Sequence, residues 1–157
     1  MNNIKLIIFD VDGTLTDGKL YIGESGEALK AFNVKDGYAI VNILPLLNIT
    51  PVIITGRASK ILLARCKELS ITHIYQGVKN KLEKLKEICK EFDCAFENVA
   101  YIGDDLNDLE CMQVCGLKGC PADAMPEVKN ICDFVSTRNG GEGAVREFID
   151  YIKTLTE

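Results

Sequence analysis

The sequence has no tryptophan, one histidine and four prolines, and it contains no long apolar run. A membrane span needs ~20 consecutive apolar residues, so we expect no membrane partner. Aromatic residues make up only 7% of the chain, which leaves few platforms for stacking nucleic-acid bases. The formal net charge is −5, and lysines often have acidic neighbours, as in residues 81–84. Binding DNA or RNA requires a basic face, so we expect no nucleic-acid partner.

The amino terminus and the cysteines indicate the cellular compartment. The first apolar run, residues 4–9, is short and ends at Asp10, unlike a signal peptide. The cysteines number seven and include no Cys-x-x-Cys pair, and the spacing of Cys111, Cys115 and Cys120 is a weak zinc signal. We interpret them as reduced thiols that pack as small apolar side chains, and we expect a cytoplasmic protein.

The length and the apolar pattern predict one α/β domain spanning residues 1–157. Short apolar runs predict strands at 4–9, 51–54, 73–76, 99–102 and 132–135. Helical spacing predicts helices at 58–69, 79–92, 106–115 and 143–155, with another near 38–48 that Pro45 should end or kink. Strands that alternate with helices favour a doubly wound, Rossmann-like sheet that is mostly parallel and covered on both faces.

Residues 18–34 interrupt this alternation. Two alternating runs flank the turn residues 23–26, which predicts a protruding β-hairpin. An isolated two-stranded ribbon is only marginally stable, so the apolar side chains of Leu20, Ile22 and Phe32 should need a partner surface.

Polar residues follow the predicted strands, where ligands bind in a doubly wound sheet. They are Asp10, Asp12, Thr55, Arg57, Lys81, Asp104, Asp105, Asn107 and Asp108. Clustered carboxylates repel unless a cation lies among them, and Mg²⁺ binds carboxylates together with phosphate oxygens. One aspartate could then attack phosphorus while a second acts as proton donor, and Thr55 and Lys81 could hold phosphate oxygens.

Each of these motifs also has a plainer interpretation. Asp-x-Asp-Gly at residues 10–13 is typical of a turn, and the acids at 104–108 are typical of a helix N-terminus. Only their joint order at strand ends favours a phosphate site.

Residues 9–16, 53–57, Lys81 and 103–108 together resemble the four motifs of the haloacid dehalogenase superfamily, in that family's order. The resemblance implies that Asp10 is the nucleophile and Asp12 the general acid and base. It also implies that Thr55 and Lys81 bind the phosphoryl group. The implied Mg²⁺ ligands are Asp10, the backbone carbonyl of Asp12, and Asp104, with support from Asp105, Asn107 and Asp108.

Many members of that superfamily carry a separate cap domain over the site. Here the intervals from Asp12 to Thr55 and from Thr55 to Lys81 are already filled by predicted elements, so we expect no cap domain. An open site favours a homo-oligomer, because excluding water and fixing the substrate assist catalysis. The hairpin is the expected contact.

Residues 30–38, 53–57, 71–77 and 140–147 are similar to the capless 3-deoxy-D-manno-octulosonate 8-phosphate phosphatases. This resemblance implies a homotetramer acting on a sugar-acid phosphate, with residues 140–146 folded over a neighbouring subunit's site. The substrate-binding candidates are Lys30, Asp36, Arg57 and Arg138.

Three other functions stay open at this point. A sister branch hydrolyses nine-carbon, sialic-acid-type 9-phosphates and shares most of these residues, although the cation Arg57 suits the eight-carbon branch. A phospho-acceptor signalling module and a non-catalytic regulatory domain are the remaining alternatives.

Overall fold

The computed structural model describes residues 3–156 as an α/β fold built on a parallel sheet. The strands are β1 (Leu6–Phe9), β2 (Tyr21–Gly23), β3 (Gly26–Leu29), β4 (Thr50–Ile54), β5 (His73–Tyr75), β6 (Val99–Ile102), β7 (Leu117–Cys120) and β8 (Phe134–Val135). Six of them pair in parallel in the order β5-β4-β1-β6-β7-β8, while β2 and β3 form a separate antiparallel hairpin. This confirms the predicted doubly wound sheet with a hairpin.

Helices cover both faces of this sheet. They are α1 (Val34–Tyr38), α2 (Lys60–Glu68), α3 (Lys81–Glu91), α4 (Leu109–Val114), α5 (Pro126–Lys129) and α6 (Ala144–Thr156). Successive side chains of a strand point to opposite faces. Ile7 and Phe9 of β1 therefore pack with α2 and α6, whereas Leu6 and Ile8 pack with α3 and α4.

The helix predicted near 38–48 is interrupted. After α1 the chain makes a π-helical turn at Ala39–Ile43 and a 3₁₀ helix at Leu44–Leu47, which Asn48 ends in a left-handed conformation. Pro45 lies at the start of the 3₁₀ helix, where its missing N–H costs no helical hydrogen bond.

Phe32 differs from the other apolar side chains of the hairpin. Leu20 and Ile22 are exposed, at 55% and 63% of their surface. Phe32 instead packs against the core, pairs with Thr16 in a β-bridge and lies under the Arg65 guanidinium. The partner surface that Phe32 was predicted to need therefore lies in its own chain.

Two elements, β7 and α5, were not predicted. The apolar pattern of β7 is broken by Lys118 and Gly119, and a Cβ at Gly119 would lie 2.6 Å from the Phe148 ring. Pairing with β6 and β8 makes the segment a strand, and close packing against α6 requires the glycine. Among residues 3–156, no helix combines the length and apolar character needed to cross a bilayer.

Candidate active site

The loop after β1 brings two aspartates to the carboxyl edge of the sheet. Asp10 and Asp12 line one cavity of about 190 Å³ together with residues that follow β4 and β6. The turn depends on Gly13, whose φ is +91° and whose added Cβ would lie 2.1 Å from Asp104 Oδ2. Only glycine accepts this conformation at so close an approach. Gly13 therefore lets the β1 loop and the β6 loop meet.

A buried lysine lies directly beneath Asp10. Lys81, the first residue of α3, donates through Nζ to Asp10 Oδ1 at 2.9 Å and to Asp108 Oδ1 at 2.9 Å. Burial lowers the pKa of Lys81, but the carboxylates of Asp10 and Asp108 raise it further, so its pKa lies above the ordinary value. Lys81 therefore stays protonated.

Asp108 is held by donors on every side. Besides Lys81, the Tyr101 hydroxyl donates to its Oδ1 at 2.7 Å, and the backbone N–H groups of Asp104 and Asp105 donate to its Oδ2. Asp108 is fully buried. A carboxylate satisfied in this way orients its donors and has little capacity left for a metal. Asp108 therefore holds Lys81 and the backbone of the Asp104 loop in place.

Asp10 and Asp104 are the carboxylates that remain available to a cation. One oxygen from each of Asp10, Asp104 and Asp108 lies within 4.8 Å of the others. Burial, and then the Asp108 charge, raises the pKa of Asp10 well above its ordinary range, against the opposing effect of Lys81. Burial also raises the pKa of Asp104, whose Oδ1 accepts from Thr14 Oγ1. Neighbouring buried carboxylates repel one another, and a hard divalent cation bound between them relieves that repulsion. These residues therefore fit Mg²⁺.

The cavity gathers half of the site residues singled out in the sequence. Its lining is Asp10, Asp12, Thr55, Gly56, Arg57, Asp105 and Asn107. Thr55 directly follows β4 and is buried, and its backbone bonds with Tyr75 and Val78 hold it in place. Arg57 is about half exposed at the rim. The carboxyl ends of β1, β4 and β6 meet here, so residues far apart in sequence form one site.

Lys30 lies between two carboxylates. Its Nζ lies 2.6 Å from Asp12 Oδ1 and 3.1 Å from Glu27 Oε2, and only 3% of its side chain is exposed. The lysine is therefore engaged with the candidate acid and base, and its contact with a sugar acid stays a prediction.

Asp36 and Arg138 lie outside the cavity. Asp36 is buried, and its Oδ1 accepts from the backbone N–H of Arg146 in the first turn of α6. Asp36 therefore caps that helix. The Arg138 side chain is 62% exposed beside Glu147 and is not one of the residues that line the cavity.

The glycines at the start of residues 140–146 come close to the β1 loop. A Cβ on Gly140 would lie 1.9 Å from the Gly13 carbonyl oxygen, and one on Gly141 would lie 2.4 Å from the Asp17 N–H nitrogen. This segment therefore packs against the β1 loop of its own chain and supports the turn that carries Asp12.

Tyr101 is the site residue that the sequence reasoning missed. It lies in a strand whose four residues are all buried, and its hydroxyl reaches Asp108. A buried tyrosine requires a partner for its O–H group, so a tyrosine in an otherwise apolar strand was the available signal.

A buried aspartate beside a lysine, with further acids at the ends of parallel strands, defines a phosphoryl-transfer hydrolase of the haloacid dehalogenase type. Residues 58–149 match the profile of a family described as "haloacid dehalogenase-like hydrolase". The 3-deoxy-D-manno-octulosonate 8-phosphate phosphatase of Escherichia coli K12 is 49% identical over 150 residues, covering 96% of this chain and 79% of the relative.

Solved structures agree. The phosphatase of the same name from Yersinia pestis has a TM-score of 0.92 at 47% identity, covering 98% of this chain and 82% of that one. The Moraxella catarrhalis phosphatase, solved with magnesium, phosphate and KDO, has a TM-score of 0.92 at 38% identity, covering 98% and 87%. This chain belongs to the 3-deoxy-D-manno-octulosonate 8-phosphate phosphatase family of haloacid dehalogenase-like hydrolases.

Proposed function

We propose that this protein hydrolyses 3-deoxy-D-manno-octulosonate 8-phosphate to free octulosonate and phosphate, with Mg²⁺ as cofactor. The observation that carries this proposal is the buried Asp10 carboxylate, held 2.9 Å from Lys81 at the floor of a cavity lined by Asp12, Thr55 and Arg57. A nucleophile, an acid and phosphate-binding donors converge there as phosphoryl transfer requires.

The reaction proceeds in two displacements at phosphorus. An Asp10 oxygen forms a bond to phosphorus while the bond to the sugar oxygen breaks, and Asp12 donates the proton that the departing oxygen takes up. Asp12 then removes a proton from water, which attacks the aspartyl phosphate, releases inorganic phosphate and restores the Asp10 carboxylate.

The remaining groups stabilise charge. Lys81 and Thr55 hold phosphoryl oxygens, and Asp108 and Tyr101 keep Lys81 in place. Mg²⁺, when bound by Asp10, Asp104 and the Asp12 backbone carbonyl, would neutralise negative charge on the phosphoryl group. Asp105 and Asn107 line the cavity and support the loop that follows β6.

The eight-carbon sugar acid is favoured over the nine-carbon one by Arg57. Its guanidinium is half exposed at the cavity rim, where it can form a paired hydrogen bond with a carboxylate. The names of the relatives support the same substrate.

Phosphate release from the eight-carbon 8-phosphate and a nine-carbon 9-phosphate, each with Mg²⁺ and with a chelator, tests this function. We expect the eight-carbon substrate to have the higher kcat/KM and the chelator to abolish turnover. A preference for the nine-carbon acid would assign the chain to the sister activity. No phosphate release from any sugar phosphate would favour the regulatory alternative.

Arg57→Glu tests the contribution of the rim cation. We expect the kcat/KM for the eight-carbon substrate to fall by about 10- to 100-fold, mainly through KM, since a charged hydrogen bond is replaced by repulsion. Lys60→Glu, on the exposed side of α2, is the matched charge reversal and should change it little. An unchanged efficiency in Arg57→Glu would remove Arg57 from substrate recognition.

The proposed assembly is a homotetramer that uses the hairpin. Leu20, Ile22 and Val34 expose 55%, 63% and 79% of their surface and line the hairpin and the start of α1. Such an apolar surface is typical of an interface. Light scattering should give four subunits for the unmodified protein and fewer for Ile22→Asp. The cytoplasm is the proposed compartment, supported by the free state of all seven cysteines.

A further inference from the structure

The hairpin carries an ion-pair chain that ends on the candidate general acid. Lys30 Nζ donates to Asp12 Oδ1 at 2.6 Å and to Glu27 Oε2 at 3.1 Å. Glu27 Oε2 also lies 3.5 Å from a guanidinium nitrogen of Arg57. These four side chains therefore connect the acid, the hairpin and the cavity rim in one unbroken series.

Burial distinguishes this series of ion pairs from an ordinary surface salt bridge. Lys30 is 3% exposed and Glu27 13% exposed, whereas Asp12 is 27% exposed toward the cavity. Exposed ion pairs contribute little because water screens them and the side chains lose entropy, but a buried pair restricts both partners. The lysine ammonium is enclosed between two carboxylates, and it cannot turn outward to a substrate without breaking both contacts.

The backbone around Lys30 is also tied to the Asp12 loop. Thr16, at the end of that loop, forms a β-bridge with Phe32, two residues after Lys30. Asp17 Oδ2 accepts from the Tyr21 hydroxyl of β2 at 2.5 Å. The hairpin and the loop therefore form one connected unit, so Lys30 approaches Asp12 from a fixed direction.

We propose that Lys30 is a positioning residue that holds the Asp12 carboxylate toward the leaving-group oxygen, and that Glu27 holds Lys30 in that position. This inference rests on the proposed role of Asp12 as general acid and base. Asp12 directly precedes Gly13 and keeps one carboxylate oxygen free of the lysine. Without Lys30, that side chain would be free to rotate, and misplacing a catalytic group by about 1 Å can cost roughly 100-fold in rate.

The first test compares kcat and KM for Lys30→Met, Lys30→Arg and the control Lys19→Met, which changes an exposed lysine at the start of the hairpin. On the sugar phosphate we expect Lys30→Met to lose about 10- to 100-fold in kcat, with KM changed less than about twofold. Lys30→Arg should recover much of the loss, and Lys19→Met should resemble the unmodified enzyme. Glu27→Gln should lose less than Lys30→Met, also in kcat.

The leaving group separates positioning of the acid from general damage. The oxygen of 4-nitrophenolate leaves without a proton, so its release in the first turnover needs no acid. We expect Lys30→Met to retain most of that rapid release while losing turnover of the sugar phosphate. Equal losses on both substrates, or a raised KM with unchanged kcat, would overturn the proposal. A raised KM with unchanged kcat would instead indicate that Lys30 binds the sugar.

A crystal structure of Lys30→Met gives a readout that does not depend on activity. We expect the Asp12 side chain to leave its position or to occupy several, with the Asp10 and Lys81 contacts preserved. An Asp12 carboxylate in the unmodified position would overturn the inference. Absence of turnover in the unmodified enzyme would instead defeat the proposed function and leave this structural comparison intact.

Discussion

Two buried acidic sites in this molecule have opposite characters. At the cavity floor, Lys81 bridges Asp10 and Asp108, and the Asp108 oxygens accept from four donors. Between α1 and α6, Asp36 uses one oxygen to cap a helix. Its Oδ2 and the nearby Arg65 Nε have no hydrogen-bond partner among residues 3–156. A buried carboxylate therefore does not by itself mark a catalytic site.

The difference lies in what each arrangement has to do. Donors from α3, from β6 and from the loop after β6 meet at Asp108 and fix Lys81 beside Asp10, and preorganised donors of this kind are effective in catalysis. Asp36 needs only one accepting oxygen, so its second oxygen can carry a proton without breaking a bond. Burial accordingly raises the pKa of Asp36 to about 6, against the opposing effects of Arg146 and Arg65.

Asp10→Asn should produce the largest effect at the cavity floor. The amide can still accept from Lys81, but it cannot form the phosphoryl bond, so turnover should fall at least about 10⁴-fold. The thermal midpoint should not fall, because one of several adjacent acids becomes neutral. Phosphate release and calorimetry measure the two quantities. A variant that stays active would remove Asp10 as the nucleophile.

Lys81→Met should lower both stability and activity. It leaves Asp10 and Asp108 as buried acids with no cation, which we expect to cost about 3–5 kcal/mol of unfolding free energy. The loss of a phosphoryl donor should lower kcat about 10²- to 10³-fold. Urea unfolding and steady-state rates measure these changes. The control is Lys86→Met on the exposed face of α3, where a loss within about 1 kcal/mol is expected.

Asp36→Asn should act on stability and its pH dependence. The folded pKa of about 6 lies above the ordinary value of 3.8, so between these values the folded state binds more protons than the unfolded state. Stability contributed by the protonated acid is therefore lost as pH rises through about 6. We expect the asparagine variant to lack this fall and to be more stable at pH 8, by up to about 3 kcal/mol.

Urea unfolding from pH 4 to 8 measures this difference, with exposed Glu142→Gln as the control. A pH profile unchanged by Asp36→Asn would show that the acid stays ionised and that the two acidic sites are more alike than the geometry indicates.

Tyr101→Phe should produce the smallest effect. It removes one of the four donors to Asp108 and leaves the ring in place, so we expect a loss of about 2 kcal/mol in stability. The kcat should fall only a few-fold because Lys81 keeps its ion pairs with Asp10 and Asp108. If kcat fell as far as in Lys81→Met, the hydroxyl would have a more direct part in the reaction.

The elements of the fold could largely be read from local patterns. The apolar runs at 99–102 and 51–54 match β6 and β4 within one residue, because strands buried on both faces contain little else. β7 could not be predicted in this way, since Lys118 and Gly119 interrupt its apolar pattern. Only pairing with β6 and β8 makes this segment a strand. The hairpin turn was visible, but the burial of Phe32 was not, because it depends on α2.

For the site, residue type and order along the chain were enough to select Asp10, Asp12, Thr55, Lys81 and Asp104. These residues lie in short motifs at strand ends, and such motifs can be recognised without knowledge of the tertiary structure. What each side chain touches was decided by the tertiary structure. Lys30 meets Asp12 across the hairpin, while Asp36 caps α6 instead of lining the cavity. Such contacts join residues 18 and 110 positions apart, and chain packing sets them in ways that no local pattern encodes.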